Sequence, residues 1–495
     1  MDTVELSILL LRIACSVFIA LTLLDVVRKQ WSRPRIPGPW SVPVFGSLPF
    51  LGTRLHTTLT DMREKYGDIF QVTIGSKKVV VLCGMETVQA ALVHQSQVFS
   101  GRPRLHTFQL ASEGKTMVFN SSTDAHWMEH RRLSERALKM AATLEPLMLQ
   151  DVVVREAQNM VNEFIERSIA EGSVDPEESV MWSVSHVMYT LCYGDSRVDA
   201  DFEDMVRTTL TLIGCHQKGN AINFFPWAKY LLPNIYRHTH NTCERMLRLS
   251  RRKEDEHLCS YEKHRCRDAL DALIRLGVRR SCPLDQDRVL HTVQEYIGAG
   301  LDIVYIAIVW TTLYLANFPD AQERIRAEVD EVVGEGRPVC EGDAENMPYT
   351  RAFVLELLRH TGLVPFALPH STVEDTHLQG IFIPKDTFIL VNLFSISRDA
   401  ALWSEPELFK PERFLGGDNS REVLHTKAGF SPYGMGRRRC IGEKMSRSQI
   451  FVYLTTLVQR SVIKKPLSVD KLDLTPQFGV VLRPQPFKVE FHARS

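Results

Sequence analysis

The chain has 495 residues, 44% hydrophobic and 24% charged, which is long and apolar enough for a large core and excludes disordered and fibrous classes. Lys plus Arg and Asp plus Glu number 59 each, so no global field draws in a polyanion, and no nucleic-acid partner is expected. Ten cysteines are scattered without a CxxC pair, which argues against a disulfide framework or zinc site and for free thiols in a reducing compartment.

Leu6 to Val27 is apolar except for Arg12, Asp25 and small polar residues, close to the roughly 20 apolar residues that cross a bilayer. Arg28, Lys29, Arg33 and Arg35 follow and Asp2 and Glu5 precede, so the positive-inside rule predicts an anchor over residues 1–30 with everything after it in the cytosol. A cleaved secretory signal is the other reading, but no small-residue cleavage site follows the apolar run. Ile36-Pro37-Gly38-Pro39-Trp40, with Pro43, Gly46 and Pro49, predicts a stiff hinge over residues 31–52 that is neither helix nor central strand.

Ile69 to Ile74 and Lys77 to Leu82, separated by Gly75-Ser76, predict a β-hairpin. From about Glu86 to about Arg359, apolar residues recur at three- and four-residue spacing and predict helices. Short apolar stretches follow (Phe382 to Ile383, Phe388 to Leu393) among Pro365, Pro369, Pro384, Pro406 and Pro411. A helix is predicted from about Glu443 to Arg460, and Leu474 to Phe491 alternates like a strand pair. Strand segments at both ends flank one helical middle without internal repeats. This predicts a single α+β body, mainly helical, over residues 53–495.

The sharpest local signal is Tyr433-Gly-Met-Gly436-Arg-Arg438-Arg-Cys440-Ile-Gly442-Glu443, a glycine-rich loop with three arginines and a Cys at the start of a helix. The helix terminus and guanidinium groups favour an ionised sulfur, and the glycines let a flat cofactor approach the backbone. Taken alone, the loop is equally a turn around a buried structural Cys. Its spacing resembles the haem-binding loop of cytochromes P450: aromatic, two residues, Gly, one residue, Arg, one residue, Cys, one residue, Gly. It departs in Tyr433, where the family usually has Phe, and in Ser446, where Ala is common. The resemblance implies a large helical body with small β-sheets behind an N-terminal transmembrane helix. It also implies haem b (iron protoporphyrin IX) with Cys440 as axial ligand to the iron, and a thiolate in that place favours O–O cleavage.

Further motifs follow in the family's order. Glu356-Leu-Leu-Arg359 resembles its ExxR helix and Pro411-Glu-Arg413-Phe414 its PERF segment, implying a buried Glu356–Arg359–Arg413 triad that holds the haem loop. Trp127-Met-Glu-His-Arg131 resembles its WxxxR helix, implying that Trp127 and Arg131, with Arg438 and His370, bind haem propionates. Ile297-Gly298-Ala299-Gly300-Leu301-Asp302-Ile303 matches the central helix, where glycines allow a kink. Asp302 matches the acid of the family's catalytic acid–alcohol pair, but Ile303 replaces the Thr that helps deliver protons, and nearby Tyr305 is a poorer substitute.

The phrases Gly101-Arg-Pro103, Gly114-Lys-Thr-Met-Val-Phe119-Asn120, Arg359-His360, Val364-Pro-Phe366 and Pro369-His-Ser-Thr372 resemble the microsomal aryl-hydrocarbon hydroxylase branch, family one. That likeness implies a substrate pocket lined by Phe108, Phe119, Leu212, Phe224, Ala299, Val364, Leu368 and Val481, although such residues are as readily core. It implies a monooxygenase in the endoplasmic reticulum membrane that puts one atom of O2 into an apolar, aromatic or steroid-like molecule. Electrons come from NADPH through NADPH–cytochrome P450 reductase, with cytochrome b5 as a further partner. Arg437, Arg439, Lys444 and Arg447 form a basic cluster suited to docking that reductase, or a solvated face. Ile303 keeps two alternatives open: a haem-thiolate isomerase or dehydratase acting on peroxides without external electrons, and a non-catalytic haem-binding protein.

Overall fold

The predicted hairpin forms between β1 (Ile69–Ile74) and β2 (Lys77–Leu82), joined by Gly75-Ser76, with Ile69 opposite Leu82. The structure is a computed structural model of the chain. It describes residues 36–494 except 122–123, 144–148, 195–199, 218–220, 263, 278–284 and 417–429, so the anchor expected over residues 1–30 lies outside the described residues.

Further strands are β3 (His370–Ser371), β4 (Thr376–Leu378), β5 (Ile381–Ile383), β6 (Phe388–Val391), β7 (Ser461–Lys464) and β8 (Glu490–Ala493). The main sheet has the order β1-β2-β6-β3, with β2 and β6 parallel. A parallel neighbour requires a crossover. Here the crossover is the helical body itself, which leaves the sheet after Leu82 and returns at His370. Val80, Val81, Leu82, Ile389 and Val391 are fully buried, as strands covered on both faces require.

The helix Gln286–Asn317 runs through the core. Asp285 caps it by accepting from the Arg288 N–H at 2.8 Å. It packs against the helices Glu177–Tyr193 and Glu443–Arg460, and every residue from Val304 to Ala316 is buried. Among the described residues it is the one helix long and apolar enough to cross a bilayer, but 83% of its apolar window is buried in the protein, as in a core helix. The glycines of Ile297–Ile303 produce no interruption, because the α-helix continues through them. Gly300 serves packing instead: a Cβ there would stand 2.3 Å from Cε of Met188 on the Glu177–Tyr193 helix.

Two other expectations are corrected. The proline-rich segment lies along β1, with Gln71 N–H donating to Pro37 O at 2.7 Å and Gly46 bridging to Ile74. Leu48–Leu51 forms one helical turn, with Pro49 in the first turn, where a missing N–H breaks no helical bond. Within itself the tail forms the bridge Gln477 to Arg483, Val489 bridges out to Val174, and the strand β8 pairs with β7 rather than with a neighbour in the tail. Its alternation reflects side chains dropping into the core one at a time, such as Val481 and Val489.

Candidate active site

Cys440 stands two residues before Gly442, which caps the helix Glu443–Arg460, so the helix begins after the cysteine rather than at it. Its N–H donates to Tyr433 O at 3.0 Å and closes the loop. Gly436 has φ +69°, and a Cβ there would lie 1.8 Å from Leu92 O, so the crossing at this point requires glycine. The side chain of Cys440 opens into a cavity of about 310 Å³, lined among others by Ala299, Ile303, Val364, Leu368, Phe430 and Ile441.

One wall of that cavity is cationic. Arg438 donates to Ser100 O, Met117 O and Asn120 O at 2.9, 2.9 and 2.7 Å, and lies over the Trp127 ring at 4.1 Å. Trp127 gives its indole N–H to Met117 O at 2.9 Å, so it props the arginine and does not point its donor into the cavity. Arg131 reaches Arg439 O. His370 uses Nδ1 against Phe99 O at 2.7 Å. Arg102, which sequence reasoning quoted only inside a phrase, gives Nη1 to Leu368 O and Pro369 O and Nε to Val118 O, while its Nη2 meets no acceptor among the described residues. Among the described residues that line the cavity, Glu295 is the only carboxylate.

The family model described as cytochrome P450 matches residues 36–491. The chain is similar to cytochrome P450 1A1 of Limanda limanda, 33% identical over 97% of this chain and 95% of the relative. It is also similar to cytochrome P450 1A2 of Oryctolagus cuniculus (34%, 91% and 89%) and cytochrome P450 1A1 of Felis catus (35%, 92% and 92%).

The chain belongs to the cytochrome P450 family. As a cytochrome P450 monooxygenase it is an oxidoreductase whose cofactor is haem iron. The cationic wall fits such a group. Burial, with repulsion from Arg102 and Arg131, holds the Arg438 guanidinium down to about 8, and burial holds Arg102 down to about 10. Burial, Arg102 and Arg438 press His370 to about 3. A buried surplus of positive charge calls for an anion, and two carboxylates on a flat ring would neutralise it.

Burial pushes the Cys440 thiol up, and the Gly442 N–H, Arg131 and Arg439 pull it down.

Glu356 and Arg359 are fully buried in a two-pronged pair at 2.7 and 2.9 Å, and Arg413 reaches Glu356 at 3.0 Å. The two arginines donate otherwise to carbonyls of residues 397–408, including Ser397, Ser404 and Pro406. Contact passes through rings: Arg359 lies over Trp403 at 5.3 Å, and Trp403 and Phe414 pack on Phe430, which opens the Cys440 loop.

Asp302 is not among the lining residues. Its carboxylate accepts from Arg483 at 2.9 Å, because successive helical residues diverge by about 100° and Ile303 takes the cavity side. Tyr305 lies under the same Arg483. Of the eight residues expected to line a substrate pocket, Ala299, Val364 and Leu368 line this cavity. Phe108 and Phe119 stack on each other with centroids 4.1 Å apart, and Phe224 packs against the sheet near Phe388. Val481 is core, and Leu212 lies on the helix Ala200–Gln217 away from the lining. In the basic cluster, Arg439 and Arg447 share Glu443 at 2.6 and 2.9 Å, and Lys444 stands 3.5 Å from Glu341. The cluster is thus less positive than its sequence suggests.

Proposed function

We propose that this cytochrome P450 inserts one atom of O2 into a flat aromatic or steroid-like molecule, using electrons from NADPH through a reductase, on the cytosolic face of the endoplasmic reticulum. The observation that carries the reading is the pairing of a cationic wall with an accessible Cys440 across an otherwise apolar cavity. Cys440 would hold the haem iron through its sulfur, and Arg102, Arg131, Arg438 and His370 would take the haem carboxylates. Haem, when bound there, supplies the oxygen chemistry, which a thiolate ligand promotes. Ala299, Val364, Leu368 and Ile303 exclude water and press a planar substrate from its sides. The Glu356–Arg359–Arg413 trio supports the loop through Trp403 and Phe430. Arg437 and Lys444, the less neutralised members of the basic cluster, would steer an acidic reductase, with cytochrome b5 as a second donor.

Membrane attachment has support beyond the apolar amino terminus. Trp40, Phe45, Trp227, Tyr230 and Leu231 are exposed, and the two segments meet where the Phe45 and Phe225 rings approach to 6.4 Å. An aromatic-rich apolar surface beside the start of the body suits the interface of a bilayer.

Ile303 on the cavity wall favours one alternative, rearrangement of a peroxide without external electrons, since no hydroxyl stands there to pass protons. The test is turnover of a planar ethoxy-aryl probe with reductase and NADPH, with released hydrogen peroxide followed in parallel, for the wild type and Ile303→Thr. The proposal predicts product from both, with less peroxide per product from the Thr variant. Neither product nor NADPH consumption by a folded, carbon-monoxide-binding wild type would contradict it and favour the peroxide reaction.

A further inference from the structure

Residues 115–120 have no regular secondary structure, yet their carbonyls orient the cationic wall. Met117 O accepts from both Trp127 Nε1 and Arg438 Nη1 at 2.9 Å, and Val118 O accepts from Arg102 Nε at 2.9 Å. Three side chains from three distant parts of the sequence thus take their direction from one dipeptide. Something must hold that dipeptide, because an irregular segment has no ladder of its own.

Glu295 does so. Its Oε2 accepts the Met117 N–H at 3.0 Å and its Oε1 the Val118 N–H at 2.7 Å, a two-pronged grip on adjacent amides. Adjacent amides that converge on one carboxylate send their carbonyls elsewhere, and here those carbonyls meet the arginines. The grip is anchored on the central helix, where Glu295, Ala299 and Ile303 share the cavity-facing side at four-residue spacing. A second tie, Lys115 to Asp287, fastens the same loop two turns earlier on that helix. Burial pushes the Glu295 carboxyl up to about 7 despite the two amides, the Thr116 hydroxyl and Arg438, so this carboxyl is retained at a cost that its geometry must offset.

We infer that Glu295 is a positioning residue for haem retention: by holding Met117-Val118 it fixes the guanidinium groups of Arg102 and Arg438 that receive the cofactor's carboxylates. This rests on the reading of the cationic wall given above. It assigns Glu295 no contact with substrate or iron.

The test uses the full-length, haem-loaded protein. Haem transfer to excess apomyoglobin is timed for the wild type, Glu295→Leu, Glu295→Gln and, as a control on the wall itself, Arg438→Leu. The position of the ferrous–carbonyl absorption band reports in each whether the thiolate ligand persists. Glu295→Leu should release haem about tenfold faster, the scale of one hydrogen bond to a charged group. Glu295→Gln should fall between, since its amide oxygen keeps one acceptor, and the thiolate-type band should persist in both. A wild-type release rate for Glu295→Leu beside fast release from Arg438→Leu would overturn the inference and leave the wall's role standing. Wild-type rates in both would overturn the reading of the wall as well. Loss of the thiolate-type band in Glu295→Leu would make the residue a general prop of the fold and overturn the positioning role. If Glu295→Leu does not accumulate as folded protein, Glu295→Gln decides alone, and a wild-type rate there overturns the inference.

Discussion

Two groups of arginines are buried near the cavity, and they differ in where their counter-charge lies. Arg359 and Arg413 have Glu356 within 3.0 Å and fill their remaining donors with carbonyls, so that group is complete as the chain folds. Arg102 and Arg438 have Glu295 nearby and are pushed down by burial and by neighbouring arginines, while Arg131, with Glu135 nearby, is lowered by burial. The first group is architecture, because its guanidinium donors are spent on Glu356 and on backbone carbonyls. The second we propose as a site, because three guanidinium groups gathered on one wall would be balanced by an arriving anion. Burial of arginine alone does not separate the two roles; the direct two-pronged grip of Arg359 on Glu356, shared with Arg413, marks the first.

Breaking the complete group should have the largest effect on folding. Arg359→Leu strands Glu356 as a buried, half-paired carboxylate and should lower stability by about 3–5 kcal/mol. Chemical denaturation of the haem-loaded protein, followed by circular dichroism, measures it. A loss no larger than that of a typical surface substitution would show that Glu356 is not the charge centre described.

A third buried pair sharpens the comparison on a smaller scale. His257 Nε2 lies 2.7 Å from Asp268, which is fully buried, as is Asp271, held by Arg267. Burial pushes the His257 imidazole down, but Asp268, aided by Asp271 and opposed by Arg267, brings it above 6.5 overall. A raised folded-state value means the charged pair's contribution to stability is fully present below about pH 6.5, the unfolded value, and is lost as pH rises through the folded one. Denaturation midpoints should therefore fall from pH 6 to pH 9 more in the wild type than in Asp268→Asn. Equal slopes would remove the pair from the account.

Much of this was legible in the sequence, and the remainder was not for identifiable reasons. The β1–β2 hairpin and the Glu443–Arg460 helix stand where local pattern put them, since both are specified by residues close in sequence. The Cys440 loop could be read because its glycines and arginines are contiguous. Arg102 and Glu295 could not be weighted: each looks like an ordinary charged residue until the fold brings residues 102, 117, 295 and 438 together. One signal was present for Glu295, an acidic residue on the same helical stripe as Ala299 and Ile303 in an otherwise apolar segment. The partner of Asp302 could not be read either, because adjacency to Ile303 along a helix places it on another side, against Arg483. The proline-rich segment looked independent since its partners, Gln71 and Thr73, are edge backbone groups that no side-chain pattern reveals.

The central claim is that the cationic wall is built for the cofactor and the Glu356 group for the fold. Arg131→Leu tests it most directly, because among the described residues Arg131 gives the protein a single hydrogen bond, to Arg439 O. Haem release to apomyoglobin and denaturation of the helical body would be measured on the same preparation, beside Arg359→Leu. The account predicts that Arg131→Leu releases haem faster at an unchanged denaturation midpoint, while Arg359→Leu lowers the midpoint itself. A lowered midpoint with wild-type haem release from Arg131→Leu would contradict it.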